Sequence, residues 1–227
     1  MIKHLLIDLD QTIFDFHRAE REALDGMLRE LGATPSDELA KAYSEINDSY
    51  WKMLELGTIT RDELLVKRFT TLFERYGIDA DGAMARKSYE RRLGDCCFYI
   101  EGAQELLKTL FGRVKMHLAS NGTDSVQTRR LAKAGIEHYF ENIFISQRVG
   151  FDKPDVRYFE RCFSAIEDFD PAECAIFGDS LSSDIKGGKN AGITTIWYNP
   201  CKIKSTSVMP DYEVESLAAL PELLEKI

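Results

Sequence analysis

The run Leu5-Leu6-Ile7-Asp8-Leu9-Asp10-Gln11-Thr12 decides how the rest of the chain is read. A short apolar stretch ending in two carboxylates has the composition of a buried strand that presents charged groups at its C-terminal edge. Residues two apart on an extended backbone point to one side, which places Asp8 and Asp10 together and turns Leu9 toward the packing. At an effective dielectric near 20, two unit charges about 4 Å apart repel by roughly 4 kcal/mol, so such a pair shares a proton or recruits a cation. Asp is also common in turns after strands, and by itself the run is equally consistent with two loop-capping aspartates.

The surrounding composition narrows the classes. A length of 227 residues suits one large domain or a domain carrying an insert. The balance of 44% hydrophobic and 30% charged residues is that of a globular chain rather than a disordered one. With 29 basic and 38 acidic side chains the net charge is -9, which argues against nucleic acid as a partner and requires a locally inverted field for any anionic ligand. The apolar run after Met1 is short and is interrupted by Asp8, so no signal peptide is expected there. No stretch approaches the roughly 20 apolar residues of a membrane span. Cys96, Cys97, Cys162, Cys174 and Cys201 are odd in number and lack paired zinc-ligand spacing, which points to a reducing, cytoplasmic compartment.

After Thr12 the periodicity becomes helical and stays so to Leu93. Ala23, Leu24, Met27, Leu28 and Leu31 line one face of a first helix, Phe16 to Leu31, that Gly32 closes. Thr34 as cap and Pro35 in the first turn open a second, reaching Leu56. Thr60 and Glu63 form a capping box for a third, with Leu65, Phe69, Leu72, Phe73 and Tyr76 on its apolar face. A fourth runs from Asp81 to Leu93. Four amphipathic helices on short loops imply an antiparallel bundle inserted after the first strand. From Gly102 onward helices and strands alternate: a helix through Leu106 and Leu110, a strand Val114 to Ala119, a helix through Val126, Leu131 and Ala134, and a strand at Ile143 to Ile145. A helix through Tyr158 and Phe163, a strand Ala175 to Phe177, a helix around Ile185, strands Thr194 to Tyr198 and Tyr212 to Val214, and a helix from Leu217 complete the series. Such alternation implies a parallel sheet with helices on both faces and a ligand site beyond the strand C-termini, where Asp8, Ser120 and Asp179 all fall.

In order, Asp8-Leu9-Asp10-Gln11-Thr12, Ser120-Asn121-Gly122, Lys153, and Gly178-Asp179 with Asp184 resemble the four signatures of the haloacid dehalogenase (HAD) superfamily in its phosphatase branch. The resemblance implies a three-layer α/β/α Rossmann-like core with a parallel sheet over residues 1–14 and 97–227, and a helical cap over 15–96. It also implies Mg²⁺-dependent phosphotransfer from a small-molecule phosphate monoester through an aspartyl-phosphate. By this resemblance Asp8 is nucleophile and metal ligand, Asp10 binds metal through its backbone carbonyl, Asp179 is the other carboxylate ligand, and Asp184 supports from outside. Asp10 then has its side chain for acid/base work, Ser120 donates its hydroxyl to the phosphoryl group, and backbone N–H groups of Asn121 and Gly122 suit an anion. Lys153 adds positive charge between nucleophile and substrate, and Thr12 supports the nucleophile loop.

A second aspartate in the first motif argues for phosphate chemistry over dehalogenation. The strings Asp15-Phe16-His17-Arg18-Ala19-Glu20, Gly57-Thr58-Ile59-Thr60-Arg61 and Ser146-Gln147-Arg148-Val149-Gly150, with Asp184-Ile185-Lys186-Gly187-Gly188 and Asn190-Ala191-Gly192, resemble the YjjG-like pyrimidine 5'-nucleotidases. That branch implies nucleoside 5'-monophosphates as substrates. A sugar-phosphate phosphatase, a phosphomutase, and a phospho-accepting receiver-like or binding protein are the alternatives. Tyr50, Trp51 and Phe69 could stack a base, but aromatics at helical spacing read as bundle core. Arg86-Lys87 and Arg91-Arg92 read as a solvated helix face, and His17 as a partly exposed helical histidine.

Overall fold

The computed structural model describes residues 1–205 and 208–227. Contacts divide the chain into two compact units, Met1–Asp15 with Phe98–Ile227, and Phe16–Cys97.

The first unit is a six-stranded parallel sheet with flanking helices. Its strands are β1 His4–Ile7, β2 Lys115–Ser120, β3 Asn142–Ile145, β4 Cys174–Gly178, β5 Thr194–Tyr198 and β6 Tyr212–Val214, in the order β3-β2-β1-β4-β5-β6. β1 is central: Leu5, Leu6 and Ile7 pair with Met116, His117 and Leu118 on one side and with Ala175, Ile176 and Phe177 on the other. All three apolar residues are fully buried, which is why the run carries no polar alternation. The chain builds outward to β3, then returns across β1 to β4. Right-handed crossovers therefore put the helices of the two halves on opposite faces. α8 (Val156–Ser164) packs with α9 (Lys186–Ala191), while α5 (Ala103–Leu110) packs with α10 (Leu220–Leu224). Leu6, Ala119 and Ile176 meet Tyr158, Phe159 and Cys162 in the core under α8. Strand side chains alternate, so His4, Leu6 and Asp8 face the same layer.

The second unit is a bundle of α1 Phe16–Glu30, α2 Asp37–Glu55, α3 Arg61–Tyr76 and α4 Gly82–Leu93, with α1 against α4 and α3 against both α2 and α4. The capping box at Thr60 and Glu63 is present in both directions, and Asp81 caps α4 through the Met84 N–H. One start differs from expectation: Ser36, not Thr34, caps α2, accepting the Leu39 N–H at 3.1 Å. Asp37 and Glu38 then occupy the first turn, where the helix end favours negative charge. Phe69 is fully buried between Tyr43 and Tyr89, as core. Tyr50 and Trp51 pack on Ile59, Leu64 and Leu65, and Trp51 donates to Asn47. Arg91 and Arg92 pair with Glu30, and Arg86 with Glu90, on the bundle's own surface.

The two links into the bundle are paired with each other: the Asp15 N–H donates to the Phe98 carbonyl (2.8 Å) and the Ile100 N–H to that of Ile13 (3.0 Å). Among the described residues no helix is long and apolar enough to cross a membrane.

Candidate active site

Three adjacent strand ends, of β2, β1 and β4, bring Ser120, Asp8 and Asp179 to one edge of the sheet. The Asp8 N–H donates to the Phe177 carbonyl (2.9 Å), which ties the nucleophile candidate to β4 just past the last β1 residue. Asp8, Asp179 and Asp184 each offer a carboxylate oxygen, and these lie within 4.8 Å of one another.

The cation between them is Lys153, 1% exposed, whose ammonium donates to Asp8 Oδ1 (2.8 Å), Asp184 Oδ1 (2.6 Å) and the Ala119 carbonyl (2.6 Å). Three donors on three acceptors leave the group fully used and fixed. Asn121 sets its position: the Asn121 amide donates to the Lys153 carbonyl (2.8 Å) and accepts the Lys153 N–H (2.9 Å). Only a side chain with one donor and one acceptor arm matches both. The Lys153–Pro154 bond is cis.

One ammonium against three carboxylates leaves negative charge in excess. Burial, against the pull of Lys153, pushes Asp8 up to about 7. Asp179 is raised well above the usual carboxylate range by desolvation and by the charges of Asp8 and Asp184. Burial works against the Lys153 ammonium, but the charges of Asp184 and Asp8 outweigh it and raise Lys153. A pocket of hard oxygen donors with surplus negative charge fits a divalent cation such as Mg²⁺.

Asp184 is fully buried and accepts the Ser180 N–H (3.1 Å) in addition to Lys153. Its approach depends on Gly178, because a Cβ there would lie 2.3 Å from Asp184 Oδ2. The segment between is a π-turn, Leu181–Ile185, rather than the regular helix expected around Ile185. Trp197 on β5 donates to the Asp179 carbonyl (2.8 Å), holding that loop from the far side. Thr12, expected to brace the nucleophile loop, directs its hydroxyl to Asp179 Oδ1 at 3.4 Å.

Asp10 departs from the simplest strand geometry. β1 ends at Ile7, and Gln11 adopts a left-handed backbone (φ 59°) as the chain turns back, its N–H on the Phe14 carbonyl (2.7 Å). The two aspartates consequently answer to different cations. Asp10 is ion-paired with Arg130, a fully buried guanidinium lying 4.9 Å over the Phe14 ring, and accepts from Gln127 Nε2 at 2.6 Å. Neither Gln127 nor Arg130 was singled out in the sequence. Both sit on α6 (Asp124–Ala134), at i+4 spacing with Val126 and Leu131 on the buried face, and that placement of two polar residues is the available signal.

The Gly122 N–H, expected to face an anion, instead donates to Ser120 Oγ (3.1 Å). This short turn folds on its own serine before α6 begins, which engages that amide locally.

A family model described as haloacid dehalogenase-like hydrolase matches residues 2–192. The chain is 39% identical to the pyrimidine 5'-nucleotidase PynA of Streptococcus pneumoniae, over 99% of this chain and 95% of that protein. It is 29% identical to the pyrimidine 5'-nucleotidase YjjG of Escherichia coli, over 98% and 97%. Among solved structures, the putative HAD-hydrolase YfnB of Bacillus subtilis, bound to magnesium, superposes with a TM-score of 0.94 at 36% identity, covering 98% of each chain. The L-2-haloacid dehalogenase of Xanthobacter autotrophicus, at 16% identity and a TM-score of 0.81, shares the fold. The chain thus belongs to the haloacid dehalogenase-like hydrolases, with its similarity running to the YjjG-like branch.

Proposed function

We propose that the chain is a Mg²⁺-dependent phosphatase that hydrolyses phosphate monoesters through an aspartyl-phosphate on Asp8, with pyrimidine nucleoside 5'-monophosphates as substrates. The observation that carries this reading is the Lys153-bound Asp8 inside a cluster of three carboxylates, with Ser120 on the neighbouring strand end. Asp8 and Asp179 would hold the ion through carboxylate oxygens and Asp10 through its backbone carbonyl, with Asp184 behind. When bound, the ion neutralises charge where carboxylate and phosphoryl group, both anionic, must meet.

The protein groups divide the remaining work. Lys153 fixes Asp8 so that its other oxygen attacks phosphorus as the ester P–O bond breaks. Ser120 donates to a phosphoryl oxygen. Asp10, a carboxylate held by Arg130 and Gln127, takes up a proton from solvent and gives it to the departing alcohol, then takes one from the water that attacks phosphorus, releasing inorganic phosphate and restoring Asp8. The bundle Phe16–Cys97 is assigned as a cap that excludes water during these steps, and the paired links at Asp15 and Phe98 are its hinge. Support for the nucleotide comes from PynA and YjjG, and support for cap motion from YfnB, whose magnesium-bound structure reveals interdomain movement in that protein.

The test is phosphate release from a panel of nucleoside 5'-monophosphates and sugar phosphates, with and without Mg²⁺. Fastest release from uridine, thymidine or cytidine monophosphate, abolished by chelation, is expected. Preference for sugar phosphates would move the substrate assignment, and metal-independent turnover would remove the metal.

A further inference from the structure

Ser120, 1% exposed, is held by a second residue whose orientation the structure determines. Gln127 Nε2 donates one proton to Asp10 Oδ2 (2.6 Å) and the other to Ser120 Oγ (2.9 Å), while Gln127 Oε1 accepts from Arg130 Nη1 (3.0 Å). A flipped amide would set oxygen against the Asp10 carboxylate and NH₂ against the guanidinium, so Arg130 permits one arrangement only. Ser120 Oγ therefore accepts twice, from Gln127 and from the Gly122 N–H at 3.1 Å. Both lone pairs are occupied, and the hydroxyl proton has no acceptor among the described residues. Gly122 is also required for this arrangement: a Cβ there would lie 2.1 Å from Gln127 Nε2.

We propose that Gln127, its amide fixed by Arg130, is a positioning residue that makes the Ser120 hydroxyl an obligate donor toward a substrate phosphoryl oxygen. The proposal rests on the assignment of Ser120 to the phosphoryl group. A free serine rotor would sample acceptor orientations that repel an incoming anion; the doubly accepting oxygen has only its proton to offer.

The test compares Gln127→Glu with Gln127→Met, alone and with Ser120→Ala, in the full chain with Mg²⁺. The readouts are p-nitrophenyl phosphate hydrolysis and the inhibition constant of inorganic phosphate, with thermal midpoints recorded for each variant. Glu at 127 keeps the volume and the Arg130 contact but turns a donor into an acceptor, which captures the serine proton and also faces the Asp10 carboxylate. Met at 127 removes the lock and leaves the rotor free. The expected loss in kcat/KM is about 10- to 100-fold for Gln127→Glu, with a matching rise in the phosphate inhibition constant, and about 3- to 10-fold for Gln127→Met. In the Ser120→Ala background the two variants should no longer differ in the inhibition constant of inorganic phosphate, while a difference in kcat/KM remains through Asp10, which residue 127 also contacts. A role confined to packing and to Asp10, which a Glu at 127 would repel, predicts instead that the difference in the phosphate inhibition constant is the same with and without the Ser120 hydroxyl. Gln127→Met proving the more damaging to phosphate inhibition, or the difference in that inhibition constant surviving intact in Ser120→Ala, overturns the proposal. Ser120→Ala leaving both readouts unchanged overturns instead the phosphate assignment on which it rests.

Discussion

Replacing Lys153 with Met retains the length of the side chain and removes the charge that holds Asp8 and Asp184. At an effective dielectric of 20, the contacts at 2.8 and 2.6 Å correspond to about 6 kcal/mol each before desolvation is subtracted. The net cost is limited by a simpler escape, since a carboxyl left without its cation takes up a proton. From the ordinary aspartate value of 3.8, neutralising one carboxyl costs about 4 kcal/mol at pH 7 and about 1.6 kcal/mol at pH 5. This agrees with the roughly 3–5 kcal/mol typical of breaking a buried ion pair from one side. Urea unfolding in the presence of chelator should therefore show Lys153→Met destabilised by about 3–5 kcal/mol at pH 7 and by less than about 2 kcal/mol at pH 5. A loss below about 1 kcal/mol at pH 7, or one equal at both pH values, would refute the claim that Lys153 neutralises a buried carboxylate cluster.

The raised Asp8, at about 7, and the raised Asp179 mean that the metal-free cluster holds protons an incoming ion must displace. Mg²⁺ affinity should weaken as pH falls below about 7, by about tenfold per unit for each proton released, and calorimetry in two buffers of different ionisation enthalpy will count them; binding without proton release contradicts this. Asp10→Asn should lower kcat by about 10²- to 10⁴-fold with Mg²⁺ binding retained, and loss of metal affinity instead would point to a ligand role for that carboxylate. At the opposite end of the strands, burial and the neighbouring His4 and Lys115 charges push His117 down to about 4. Because the folded value lies below the unfolded 6.5, the unfolded chain takes the proton first. Stability should therefore fall by up to about 3 kcal/mol as pH drops from 6.5 toward 4. An unchanged pH slope in His117→Gln would assign that loss elsewhere.

The sheet was legible because β1, β4 and β5 are apolar runs bounded by polar turns, and the bundle because its caps and apolar faces repeat at helical spacing. Asp8, Ser120 and Asp179 could be placed at strand ends because parallel strands deliver their C-termini to one edge. What failed to show was everything fixed by contacts distant in sequence. Arg130 meets Asp10 across 120 positions and Trp197 meets Asp179 from the next strand, and neither has a local signature. The short helix α7 (Ser146–Val149) is too brief for periodicity to register. The cap of α2 moved from Thr34 to Ser36 because both residues are competent and only the acids at 37 and 38 separate them. The bond from the Gly122 amide to Ser120 was not legible because a Ser-Asn-Gly turn offers its N–H groups equally to an anion and to its own serine.

The central claim is that Asp8 is the atom donor to phosphorus. Rapid acid quench of the enzyme turning over radiolabelled p-nitrophenyl phosphate, followed by peptide mapping, tests it directly. The account predicts an alkali-labile label on the peptide containing Asp8 and none in Asp8→Asn. Turnover retained by Asp8→Asn, or label mapping to another residue, would contradict it.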